Sequence, residues 1–131
     1  MNDNAKAWTA ALRSGTFQQT CGTLRRHTED RSDFGPVGYC CLGVACELFR
    51  ADQPDLLERI NLDGDTEYRS SCDELDRGRT GLPGIVKEWL GLDSAIGIME
   101  DHSSLAGMND EGAAFVTIAD TIEREPDGLF V

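Results

Sequence analysis

Apolar positions recur at helical spacing near both ends of the chain and in one central block. At the start, Trp8, Ala11 and Leu12 stand at i, i+3 and i+4, with Asp3 or Asn4 available as a cap. This spacing predicts a helix over Asn4–Arg13 that Gly15 stops. The run Thr16–Leu24 is rich in Thr and alternates weakly, which predicts a strand, and polar His27–Asp33 reads as a loop. Gly35 and Pro36 then lead into the most apolar stretch of the chain, Cys40–Phe49. A short strand ending near Tyr39 or Cys40 is expected, followed by a largely buried helix. Cys41, Leu42, Ala45, Leu48 and Phe49 share one side of that helix. Gly43 within it costs about 1 kcal/mol relative to alanine, so a residue this small points to close packing against a neighbour.

The pattern then changes. Residues 51–79 are dominated by Asp, Glu and Arg, with few large apolar side chains beyond Leu56, Leu57, Ile60 and Leu62. The expectation here is an exposed or mobile acidic connection, with a short helix around Asp55–Ile60 and a short strand at Glu67–Arg69. Periodicity returns at Pro83, where Ile85, Val86, Trp89 and Leu90 form i, i+4 pairs before Gly91. Ile96 and Ile98 alternate within Ser94–Glu100, as in a strand. In the last helix Phe115, Ile118, Ala119 and Ile122 make a clear stripe, with Asn109 or Asp110 as its start and Pro126 beyond its end. The elements do not alternate regularly enough for a doubly wound fold. They describe one compact α+β domain over residues 1–131, with three or four helices and a small, mostly antiparallel sheet.

Charge narrows the partners. The chain carries 24 Asp and Glu against 12 Lys and Arg, a net charge of -12. Such a field repels phosphate backbones, so direct nucleic-acid binding is disfavoured. The balance is +2 over residues 1–31, -6 over 32–79 and -8 over 80–131. No apolar run is long enough for a membrane helix, and Met1–Lys6 does not open like a signal peptide. The five cysteines, at 21, 40, 41, 46 and 72, form an odd set, which suits free thiols in a reducing cytoplasm.

Those thiols are the first candidates for chemistry. Structural zinc wants two closely spaced ligand pairs. Cys41 and Cys46, five apart on a helix, diverge by about 140°, so buried core thiols are the better reading. A thiolate nucleophile at the helix start, Cys40 or Cys41, would need a depressed pKa, and its apolar flanks act the other way. Asn61–Glu67 has the oxygen content of a calcium loop, but its glycine is in the wrong place and it reads as an acidic turn. No catalytic residue, metal or cofactor is assigned. Arg25 and Arg26, with Arg31, form the one basic cluster and suit a small anionic ligand such as a carboxylate or phosphate. Asn109 and Asp110 are candidate ligand contacts, with a helix cap as the simpler explanation.

Five segments, taken together, resemble a known group. They are Ala11–Gly15, Gly22–Arg25, Tyr39–Cys46, Leu82–Pro83 with Glu88–Leu92, and Met108–Gly112 with Phe115 and Ile118–Ile122. This pattern is similar to a group of small hypothetical proteins of tailed bacteriophages and prophages, thinning over residues 51–79. The resemblance implies an accessory protein of the bacterial cytoplasm that binds a host protein, modulating host machinery or blunting defence. A small-molecule or nucleotide sequestering module and a thiol-dependent or hydrolytic enzyme are the alternatives.

Overall fold

A computed structural model describes residues 1–27 and 36–131. The expected loop at His27–Asp33 therefore lies, beyond His27, outside the described residues, as do Arg31 and Gly35. Five helices and five strands follow one another as α1 (Asp3–Arg13), β1 (Arg25–His27), β2 (Val37–Tyr39), α2 (Cys41–Asp52), β3 (Leu57–Leu62), β4 (Asp65–Ser70), β5 (Arg77–Gly78), α3 (Gly84–Leu90), α4 (Leu105–Asp110) and α5 (Phe115–Glu123). The chain is an α+β fold, as expected, with five helices among the described residues where three or four were expected.

The sheet runs β2-β1-β4-β3, with β5 also paired to β4, and every strand pair is antiparallel. Its centre is a hairpin that the acidic composition of residues 51–79 hides. Leu62 pairs with Asp65 across a two-residue turn in which Asp63 and Gly64 have φ of 56° and 91°. Positive φ at both central positions matches a turn whose twist suits the flanking strands, and an Asp-Gly pair tolerates it. The expected helix at Asp55–Ile60 is thus a turn that enters a strand at Leu57. Register explains why: Leu57 pairs with Ser70 and Arg59 with Tyr68, placing Leu57 and Tyr68 in the core while Glu58 faces solvent. Two other strand expectations fail for the opposite reason. Thr16–Leu24 forms a single bridge with a strand, Gln19 to Tyr39, and Ser94–Glu100 a single bridge off the sheet, Ile98 to Ser104. Weak alternation without a partner edge does not make a ladder.

The helices follow their apolar stripes more faithfully. In α1, Trp8 and Leu12 are buried, and the cap is Asn2, whose Oδ1 accepts from Ala5 N at 2.8 Å. α1 packs on α5 and α2, while α2 touches β2 and β3 and so joins the helical layer to the sheet. Trp8 Nε1 donates to the Cys41 carbonyl at 2.8 Å inside this contact. Gly43 of α2 has its predicted purpose. A Cβ built there would lie 1.7 Å from the carbonyl oxygen of Leu24, so only glycine allows α2 this close to the chain entering β1. Pro83 and Gly91 bracket α3 as expected.

Candidate functional site

The thiols that offered chemistry are packing. Cys40, Cys41 and Cys46 are buried, and Cys21 and Cys72 are exposed; none is bridged. Cys40 caps α2, its Sγ accepting from Gly43 N at 3.4 Å. Loss of solvation on burial pushes this thiol up to about 11, despite the hydrogen bond from Gly43. Burial raises Cys41 and Cys46 as well. Thiols held in the neutral form are poor nucleophiles and poor metal ligands. Among the described residues, no three His, Cys, Asp or Glu side chains converge as a metal site would require.

Arg25 and Arg26 are adjacent in β1, so strand alternation sends them to opposite faces. The Arg25 guanidinium donates to Thr66 Oγ1 at 2.9 Å and lies over the Tyr39 ring, 5.9 Å from its centroid. Arg26 Nε donates to Asp65 Oδ1 at 2.8 Å, and this bond raises its pKa further. Both cations are engaged within the sheet. They do not converge as a two-arginine clamp would.

Asn109 and Asp110 lie at the end of α4, not at the start of α5, whose own cap position is Ala114 with no side-chain bond. Asn109 is fully buried and its side chain makes three hydrogen bonds. Its Oδ1 accepts from Cys41 N at 3.1 Å and from Gln19 Nε2 at 2.9 Å, and its Nδ2 donates to the Thr20 carbonyl at 2.7 Å. The residue is a cap, but of α2 and from a distant helix. It satisfies the first amide of α2 that has no partner within the helix. Asp110 Oδ1 accepts from Gly22 N at 2.8 Å, so the pair staples the segment Gln19–Gly22 to the helical layer.

The open features lie elsewhere, around the link between β4 and β5. Two shallow grooves of about 520 and 480 Å³ meet there and share Ser70, Cys72, Asp73 and Leu75. Glu58, Arg69 and Arg77 border the first; Asp76, Ile85 and Glu88 border the second. Acidic side chains outnumber basic ones along both. Over residues 80–131 the imbalance is larger still: ten carboxylates, all of them exposed, stand against Lys87 and Arg124, and three of them, Asp120, Glu123 and Glu125, are paired with Arg13 and the Met1 amine from the start of the chain.

A family model for a domain of unknown function (DUF8296) matches residues 1–126. The chain belongs to the DUF8296 family. No curated protein and no solved structure matches it. In this DUF8296 chain no helix among the described residues is long and apolar enough to cross a membrane. The surface around β4 and β5 carries no motif that sequence reading looks for. The available signal was Asp63-Gly64, a two-residue hairpin turn, which would have placed β3 and β4 and hence the position of the link after them.

Proposed function

We propose that this chain is a small acidic accessory protein of the tailed-phage type that acts in the bacterial cytoplasm by binding a host protein and modulating it. One observation carries the reading: every one of the ten carboxylates over residues 80–131 is exposed, against Lys87 and Arg124 within the segment and Arg13 and the Met1 amine, which pair with Asp120, Glu123 and Glu125, from outside it. A one-signed field of this kind speeds encounter with a basic protein surface and repels phosphates and anionic lipids. The side chains that offered chemistry point the same way, because the central thiols are held neutral and Arg25 and Arg26 are engaged within the sheet. The phage assignment rests on the resemblance of Tyr39–Cys46, Glu88–Leu92 and Met108–Gly112.

The test is affinity capture from bacterial lysate with the whole chain as bait. A stoichiometric partner should be retained at physiological ionic strength and released as salt shortens the screening length to about 3 Å near 1 M. Repeated captures that yield no stoichiometric protein refute the reading. A bound nucleotide released in its place would favour the sequestering alternative.

A further inference from the structure

Leu75 is 85% exposed, against 50% for Val116 and 41% for Ile98, and among the described residues Val131 is the only large hydrophobic that exceeds it. Its segment is not loosely held. Leu75 N donates to Asp73 Oδ1 at 3.0 Å, Asp76 N donates to the Asp73 carbonyl at 3.0 Å, and Ser70 N donates to the Asp76 carbonyl at 2.8 Å. Asp76 then reaches α3, its two carboxylate oxygens accepting from Gly84 N at 2.5 Å and Ile85 N at 2.9 Å. An apolar side chain presented on a backbone already fixed from both sides loses little further freedom when it is bound. The two grooves described above run along either side of it. A convex leucine between two clefts is the shape of an anchor, a side chain that enters a socket while neighbouring contacts exclude water.

We propose that Leu75 is the anchor by which this chain docks on its partner, a basic protein surface with an apolar socket for the leucine and Lys or Arg on the socket's rim. The inference rests on the binding-protein reading and adds the place and the chemistry of the contact. Charge selects the occupant. Glu58, Asp73, Glu74 and Glu88 outnumber Arg69 and Arg77 around the leucine along the two grooves, and Arg69 is already paired with Glu67. A second copy of the chain would set these carboxylates against their own kind in a twofold contact, and a phosphate-bearing surface would meet the same repulsion. A rim of Lys and Arg meets them favourably.

The experiment places a photo-crosslinking benzoylphenylalanine at position 75 of the whole chain, with position 116 as the control, and irradiates each in bacterial lysate. The expected result is an adduct from position 75 and none from 116, with the sequenced partner peptide carrying Lys or Arg beside the attached residue. Leu75→Ser should then weaken retention of that partner roughly 10–100-fold, the equivalent of burying one leucine, while Val116→Ser leaves it unchanged. Circular dichroism of both variants should match the parent, since each side chain is solvent-facing. A partner that the parent chain captures, but that Leu75→Ser holds equally well or that crosslinks only from position 116, overturns the anchor and leaves the binding-protein reading standing. An adduct to a second copy, or to a peptide without basic residues, overturns the assigned partner class. Failure of the parent chain to capture any partner overturns both.

Discussion

Replacing Asn109 with alanine should remove one of the most strongly coupled polar contacts in the fold. The side chain is fully buried and makes three hydrogen bonds, two to backbone groups and one to Gln19. Alanine leaves Cys41 N at the start of α2 and the Thr20 carbonyl without their partners. A buried polar group stranded in this way costs about 1–3 kcal/mol. Gln19 Nε2 keeps a second acceptor, the Ala113 carbonyl at 2.7 Å, and adds little. The sum is about 2–6 kcal/mol, a large share of the 5–15 kcal/mol by which domains are usually stable. Urea unfolding followed through Trp8 and Trp89 measures it. Gln19→Ala is the comparison, expected to cost no more than about 1.5 kcal/mol because one hydrogen-bonding side chain is lost and Asn109 keeps its other bonds. If Asn109→Ala costs less than Gln19→Ala, Asn109 is not the cap of α2 in any energetic sense, and the reasoning fails.

Other consequences follow from the same contacts. Gly43→Ala improves intrinsic helix propensity by about 1 kcal/mol, yet its Cβ would meet the Leu24 carbonyl, so a net loss of at least about 1–3 kcal/mol is expected in thermal or urea melts. A neutral or stabilising result would show that α2 can retreat from Leu24. Stability should also fall in alkali. Cys40 is raised from 9.0 to about 11 by burial, so its contribution is fully present below pH 9 and is lost as pH rises toward 11, because the unfolded thiol releases its proton first. The slope is about 1.4 kcal/mol per pH unit for one thiol, and Cys41 and Cys46 act in the same direction. Melts between pH 8 and 11 that show no decline contradict this. Alkylation supplies a parallel check: in the folded chain Cys21 and Cys72 should react readily, and Cys40, Cys41 and Cys46 only at the rate of unfolding.

Local pattern determined much of this molecule. The stripes of α1, α2 and α5 were legible because burying one face of a helix imposes a 3.6-residue period that survives in any context. Pro83 and Gly91 marked α3 by backbone restriction alone. Gly43 announced close packing because nothing local favours glycine inside a helix. The Asp63-Gly64 turn was equally legible, yet the surrounding acids suggested a connection. Their charge describes the solvent face of the hairpin and says nothing about Leu57 and Tyr68 on the other. Only the tertiary structure decided what Asn109, Arg25 and Arg26 do. A cap supplied from 68 residues away leaves no trace in the window around either residue. Whether two neighbouring arginines converge or diverge depends on a strand that is three residues long. The fate of the thiols was settled in the same way: sequence placed them on an oily helix, but the depth of burial that holds them neutral is a property of the packed core.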